Sequence, residues 1–384
     1  MPRALLRPSA LLPRAVRCRT AGDLLGEQQA LHQCLEQAEG RRRPSSAADV
    51  AALRTARFYM ALQGCQLGNF RQADEHLSRL GLGARLSDAI WTEDCSAPLP
   101  PEFFVRVVDD GLPPELVEGL RRALHPGSIY WEDHGYTRRD LEFFSHAHRM
   151  GEEVHVVDQL IEALRPLLAR VAPEVEAQAH LAEWWAHHRS REQWHGHPMH
   201  FDTHERLLRD SRGACVQNPA ISTVVYLSDD SPRFGPTLVT SQRPRESDAA
   251  GALKVATLVR PRRGRVLFFD GRYLHGAMPG RPWLERPEDP DRRLCIMVGW
   301  WTGPIEPAPA ADPPEPVMLT DPAARWVRHL GKVPTMSAGR PGRMAEVGAA
   351  SPIWTDVPAV EQGEPFFGRF FLTHRGQVDV DLFS

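Results

Sequence analysis

A chain of 384 residues is long enough for two domains, or for one large domain with extensions. At 42% hydrophobic and 25% charged it has an ordinary globular composition, and a formal net charge of −3 removes any global electrostatic reason to expect nucleic acid or an anionic membrane as partner. No apolar run approaches the roughly 20 residues of a spanning helix, and six scattered cysteines without a CxxC pair exclude a zinc-knuckle or dithiol framework and fit free thiols in a reducing, intracellular compartment.

Met1–Gly22 carries Arg3, Arg7, Arg14, Arg17 and Arg19, the apolar Leu5, Leu6, Leu11 and Leu12, and no acid before Asp23. That composition fits a mitochondrial or plastid transit peptide, and equally a disordered Arg- and Ala-rich terminus of a cytoplasmic protein. Residues 23–95 read as a helical arm. Two amphipathic segments between Ala56 and Leu80 meet at Gly68 and Asn69, with Ala61, Gly64, Phe70 and Ala73 where antiparallel helices would touch. The pair resembles a tetratricopeptide unit. Stacked repeats need about three units to be stable, so the expectation is a helical appendage leaning on the main domain, with a plain helical hairpin as the alternative.

Phe103–Val108 reads as a strand, followed by a helix through Leu124 with Pro114 at its start, where a missing N–H is harmless. Apolar residues recur with helical period from Val154 to Val171, and Pro166 is expected to kink or split that helix. From about residue 178 the pattern changes to short strands: Ala179–Trp185, Ile221–Leu227, Pro236–Thr240, Leu253–Val259, Arg265–Phe269 and Arg293–Trp300. Turn residues separate them, which points to an all-β barrel or sandwich as the core of an α+β chain. The run Arg260, Arg262, Arg263 and Arg265 reads as a solvated turn before a strand. After Trp301 the chain is Pro- and Ala-rich from Pro304 to Pro316, a linker or loose wrap, and Phe366–Phe371 would dock back.

The chemistry starts at His200-Phe201-Asp202. In an extended segment positions i and i+2 share a face, so an imidazole and a carboxylate converge while Phe201 turns away. A second His from elsewhere would complete a facial triad with open positions opposite. HxD alone is weak in a chain with 17 His. Its weight comes from four downstream segments in a fixed order: Ile221-Ser-Thr-Val-Val-Tyr226-Leu-Ser, then Gly235-Pro-Thr-Leu-Val, then Gly264-Arg-Val-Leu-Phe-Phe-Asp-Gly-Arg-Tyr-Leu-His275-Gly, then Asp291-Arg-Arg293-Leu-Cys-Ile-Met-Val-Gly-Trp-Trp.

This order resembles the double-stranded β-helix (jelly-roll) oxygenases of the prolyl-hydroxylase type, over about residues 103 to 301. The resemblance implies an Fe(II)- and 2-oxoglutarate-dependent dioxygenase domain at 96–301, with barrel core 178–301 and a C-terminal extension at 302–384. It implies that His200, Asp202 and His275 hold the iron. Arg293 would bind the C5 carboxylate of 2-oxoglutarate, assisted by Tyr226, whose alternative role is that of a core tyrosine. It also implies O2 as oxidant and ascorbate as an accessory reductant. Arg292 points the other way on a period-two strand unless a bulge intervenes, and is the alternative anchor. Two segments depart from the family pattern. The insertion from Pro279 to Pro290 reads as a surface loop lengthening a hairpin, and Glu205–Pro219 reads as a segment near the mouth.

Two other readings stay open. His195 and His197 form an HxH pair of the kind cupins use for metal without 2-oxoglutarate, although Glu205 is not at cupin spacing. A helical-repeat binding protein with a degenerate barrel is the other. The expected reaction is hydroxylation of an unactivated C–H with succinate and CO2 as co-products. Asp202 in the carboxylate position argues against a halogenase, and Gly299, six residues after Arg293, against a nucleic-acid demethylase. A protein or peptide side chain and a small molecule remain as substrates. Trp184, Trp185 and Trp194 read as core packing before substrate contacts.

Overall fold

The computed structural model describes residues 8–39, 46–135, 143–190, 195–244, 254–290, 292–311, 314–337, 339, 341–358 and 370–372. Four helices come first: α1 (Pro8–Thr20), α2 (Leu24–Glu39), α3 (Ala47–Gln66) and α4 (Phe70–Ser78). Leu11 and Ala15 of α1 are buried with Leu31 and Cys34 of α2 and Ala56 and Met60 of α3, so the described part of the Arg-rich opening is a packed helix, not a disordered terminus. Ser46 caps α3 through its Oγ, which accepts the Asp49 amide at 3.2 Å. The α3–α4 turn uses Gly68 at φ +76°, a conformation that favours glycine. Small residues let the two helices close: a Cβ on Gly64 would lie 3.1 Å from that of Ala73.

The remaining elements come in order: β1 (Ala84–Leu86), α5 (Asp88–Trp91), β2 (Val105–Asp109), α6 (Pro114–Ala123), α7 (Ile129–Asp133), β3 (His146–Arg149), α8 (Val156–Val171), α9 (Pro173–Gln178), β4 (Leu181–Arg189), β5 (His197–His200), α10 (Glu205–Asp210), β6 (Ile221–Tyr226), β7 (Phe234–Thr240), β8 (Ala256–Val259), β9 (Val266–Asp270) and β10 (His275–Pro279). A single 3₁₀ turn at Pro282–Leu284 leads to β11 (Arg293–Trp301), β12 (Met318–Leu319), α11 (Arg325–Leu330), β13 (Arg343–Ala345), β14 (Trp354–Asp356) and β15 (Phe371–Leu372). Helix α8 runs through Pro166 as one element, so the expected split does not occur. Buried Leu160, Ile161, Leu164, Leu167 and Leu168 on both sides of the proline hold it against the sheet.

Two facing sheets make the core. The main sheet has the order β12-β3-β4-β11-β6-β9-β2-β13, and the minor sheet β5-β10-β7-β8. Strand alternation sorts the side chains into layers. Val224, Tyr226, Leu267, Phe269 and Cys295 of the main sheet meet Val239 and Val259 of the minor sheet inside. Outside the main sheet, Trp184, Ile296, Val298 and Trp300 pack under α6 and α8. Outside the minor sheet, Met199, Phe201, Leu238, Leu274 and Met278 pack with Leu62, Cys65 and Leu77 of α3 and α4. This is a mixed α+β molecule with the two-sheet layering a jelly-roll requires.

The tail is more than a linker. It supplies both edges of the main sheet through β12 and β13, and it flanks β1 with β14 and β15. Phe370 and Phe371 sit against Trp91, the described part of the expected docking segment; residues 366–369 lie outside the described residues. The 279–290 insertion is also not a free loop. Gly22, just before the arm, abuts Pro282, and Arg233 bonds both Glu285 and the Thr20 carbonyl.

Candidate metal centre and carboxylate anchor

His200 and His275 lie directly opposite each other on the antiparallel pair β5 and β10. Their ring centroids are 4.3 Å apart. Asp202 follows two residues after His200, and its Oδ1 lies 3.7 Å from His200 Nε2 and 3.5 Å from His275 Nε2. Among the described residues this is the one group of three or more His, Cys, Asp or Glu side chains whose donor atoms all lie within 4.8 Å of one another.

The surroundings aim those atoms. His200 Nδ1 is 3.0 Å from the Pro198 carbonyl, and His275 Nδ1 is 2.9 Å from the Tyr273 carbonyl. Protonated at Nδ1, each ring donates to its carbonyl and presents the Nε2 lone pair, the tautomer a metal needs. Ser222 Oγ donates to Asp202 Oδ2 at 2.6 Å, and Asn218 Nδ2 to the Asp202 carbonyl at 2.7 Å. Burial and the neighbouring His275 push the His200 pKa down to about 4, so it is neutral at physiological pH. Burial opposes the charge on Asp202, but His275, His200 and Ser222 outweigh it and hold the carboxylate at about 2. Burial likewise opposes charge on His275, and Asp202 beside it raises its pKa above the ordinary imidazole value. Two imidazole nitrogens and one carboxylate oxygen suit a divalent first-row metal such as Fe(II).

Arg293 opens β11 with its side chain inside the molecule, 5% exposed. Its guanidinium donates to the Gly235 carbonyl and, at 2.7 Å, to Thr237 Oγ1. Tyr226 Oη donates to the same Thr237 Oγ1 at 2.7 Å, and the guanidinium lies 5.7 Å from the Tyr226 ring centroid. Among the described residues no carboxylate lies within ion-pair distance of Arg293. Thr237 and Val239 share the inner face of β7, and Val239 is directly opposite His275. Thr237, which both Arg293 and Tyr226 bond, thus lies two residues along β7 from the position opposite His275, roughly 7 Å at strand rise. Gly235 is required there, since a Cβ would meet the Met278 carbonyl oxygen at 2.3 Å. Arg292 is exposed and lines an outer groove with Arg121, His188 and Leu294.

Several residues beside the centre were given no role by the sequence, whereas His197 was read there as part of an alternative ligand pair. Ser222 and Thr237 have the parity of Tyr226 and Val239 on their strands and could have been found that way. His197 lies 4.7 Å from His200 and His187 5.4 Å from His197, ring to ring. Neither His195 nor His197 joins the three-residue group. Glu183, wholly buried on β4, accepts from Ser145 Oγ and from Trp301 Nε1 at 3.0 Å, and burial pushes its pKa up to about 7. Trp184 is core, Trp185 is buried against Phe143, and Trp194 lies outside the described residues. Glu205 begins α10; Glu205–Pro219 is tied back to the centre through Asn218 and the His204–Gln217 backbone bond.

No protein-family model and no curated protein matches the chain. Solved structures do. A prolyl-4-hydroxylase from Pseudomonas putida matches at 17% identity, covering 55% of this chain and 98% of that one, with a TM-score of 0.33. AviO1 from Streptomyces viridochromogenes Tue57 matches at 16% identity over 54% and 93% of the two chains, with a TM-score of 0.34. HygX from Streptomyces hygroscopicus, with nickel and 2-oxoglutarate bound, matches at 17% identity over 53% and 88%, with a TM-score of 0.29. Among the described residues no helix is long and apolar enough to cross a membrane.

Proposed function

We propose that this chain is a non-haem Fe(II)- and 2-oxoglutarate-dependent dioxygenase that hydroxylates an unactivated C–H of a protein or peptide side chain or of a small molecule. The observation that carries the reading is the pairing of two features that packing alone does not explain. One is a largely buried two-histidine, one-carboxylate group. The other is a buried guanidinium that has no carboxylate partner among the described residues and is held by a carbonyl and a hydroxyl. A buried cation without a counter-ion is costly, and an incoming carboxylate removes that cost. His200 Nε2, Asp202 Oδ1 and His275 Nε2 would hold the iron. Arg293, with Thr237 and Tyr226 around it, would hold the distal carboxylate of 2-oxoglutarate in a bidentate fork.

When bound, iron and 2-oxoglutarate supply the oxidising chemistry, consuming O2, releasing succinate and CO2, and leaving oxygen on the substrate carbon; ascorbate would keep the iron ferrous. The protein's own part is to fix the three donors, to keep Tyr226 and Thr237 oriented on the anchor, and to exclude water with Phe269, 4.8 Å from the His275 ring. The substrate would meet the inner wall formed by Trp185, His187 and His197. Gly299, where a second arginine would stand in a nucleic-acid demethylase, favours the protein or small-molecule classes.

The test uses Mn(II) as a redox-silent probe. In the Mn(II)-loaded protein, 2-oxoglutarate at about 100 times its Kd is expected to stabilise the fold by about 2.7 kcal/mol, and Arg293→Ala to abolish the shift at the same concentration. Absence of any shift in metal-loaded wild type removes 2-oxoglutarate and returns the cupin-like reading.

A further inference from the structure

Two of the three ligands sit on or beside a strand that cannot place them by itself. β5 is four residues long and lies at the edge of the minor sheet, paired among the described residues with β10 alone. Its register slips between the pairs His275–His200 and Ala277–His197, where two steps on one strand face three on the other. An edge strand with one partner and a bulge is weakly determined by its ladder alone.

The outer face of that sheet belongs to the N-terminal arm. Met199 and Phe201, on either side of His200, and Leu274, just before His275, turn outward into one buried cluster with Leu62, Cys65 and Leu77. A polar seam runs beside it. Arg19 Nη1 bonds Glu27 Oε1 at 2.8 Å, and both side chains are 1% exposed. Arg19 also donates to the Gln66 carboxamide oxygen. Gln66 Nε2 donates to the Gly280 carbonyl at 2.8 Å and the Pro279 carbonyl at 3.3 Å, where the chain leaves β10. The insertion after β10 is gripped again by Arg281 Nη2 on the Trp91 carbonyl at 2.6 Å and by the Arg19 guanidinium 5.4 Å from the Trp283 ring centroid.

A buried ion pair is a poor source of stability, because desolvation offsets most of its attraction; its better-attested use is to fix register. Apolar side chains at 19, 27 and 66 would join arm to barrel as firmly without specifying which carbonyl meets which amide. We propose that the arm is a positioning device for the metal centre: Gln66, oriented by the buried Arg19–Glu27 pair, fixes the exit of β10, and α3–α4 fix the outward residues of β5, so that His200, Asp202 and His275 converge. This rests on the metal reading proposed for the site and makes Gln66 a positioning residue some way along the strand from any ligand.

The experiment is a Co(II) titration of the full-length metal-free chain, reading both affinity and the visible ligand-field band, with a thermal melt of each variant. Gln66→Leu removes the seam bonds, Gln66→Asn shortens the side chain so that its carboxamide no longer reaches them and serves if the first variant folds poorly, and Leu31→Ala opens the arm's own core at a site away from the barrel. The expected result is about tenfold weaker Co(II) binding and an altered band in the Gln66 variants, with Leu31→Ala lowering the melting temperature but keeping wild-type affinity and band. Unchanged affinity and band in both Gln66 variants, or losses that merely track melting temperature across all three, would overturn the proposal. A wild-type chain that takes up no Co(II) would overturn the metal reading itself, and this inference with it.

Discussion

Arg293 and Ser222 show how single side chains shape the centre. Ser222→Ala removes the 2.6 Å bond to Asp202 Oδ2 and frees the carboxylate to rotate. The expected outcome is metal binding weaker by about tenfold or more with the fold retained, checked by Co(II) titration beside a circular dichroism melt; an unchanged Kd would contradict the assigned role. Much at this scale was legible from strand parity. His200 and Asp202 are two apart, and Arg293 falls on the inner face while Arg292 falls outside. His197 was noticed as half of an HxH pair, but its place beside His200 was not legible, because it stands three residues away. Strict alternation puts the two on opposite faces, and the bulge opposite His275–Ala277 brings both imidazoles inside. His187 needed the pairing of β4 with β11 at Cys295 before its position inside the molecule was visible.

Among the elements, the α3–α4 hairpin was readable from Gly68 and from the small residues Ala61, Gly64 and Ala73. Gly64→Val should push α4 off α3, since even a Cβ would stand 3.1 Å from that of Ala73. Overpacking of this kind costs about 1–3 kcal/mol, and a denaturation midpoint equal to wild type would show that the helices are not so closely packed. β6, β9 and β11 declared themselves by β-branched and aromatic runs. β3, β5 and β10 did not: they carry His, Gly and Pro, residues whose strand character comes from the partners beside them. The unbroken α8 is a similar case, because the burial of Leu164, Leu167 and Leu168 around Pro166 is tertiary.

For the whole molecule, the division of the chain into an arm at 23–95 and a barrel at 96–301 describes the sequence better than the structure. Arm, minor sheet and tail share one buried cluster, and the signal for that lies in which faces meet, which no local pattern encodes. A chain beginning at Leu82 would expose Met199, Phe201, Leu274 and Met278 together. It should aggregate or fail to bind Co(II); a soluble, Co(II)-binding barrel would contradict the shared core.

Acid sensitivity also belongs to this scale. Burial pushes the pKa of His134 and of His155 down to about 4, and that of His146 well below its ordinary value. These groups are neutral in the fold and take up protons on unfolding, so their contribution is complete above the unfolded value of about 6.5 and falls away as pH drops toward 4. Between pH 7 and pH 5 the loss is on the order of 2 kcal/mol for each of His134 and His155. His148 opposes this: burial lowers its pKa, but bonds to Asp158 and Glu162 raise it on balance, so its contribution is present in acid and lost as pH rises. The lowered histidines outnumber it. Stability of the metal-free protein should therefore fall from pH 7 to pH 5, and less steeply in His155→Asn, which keeps an acceptor at the α8 cap. A flat profile would contradict the burial of these rings.

The measurement closest to the central claim is anaerobic absorption spectroscopy of the apo-protein given Fe(II) and then 2-oxoglutarate. A visible metal-to-ligand charge-transfer band should appear in wild type, be absent in His275→Ala, and require far more 2-oxoglutarate in Arg293→Ala. A folded wild-type protein that binds Fe(II) but shows no band at saturating 2-oxoglutarate would contradict the assignment of this site.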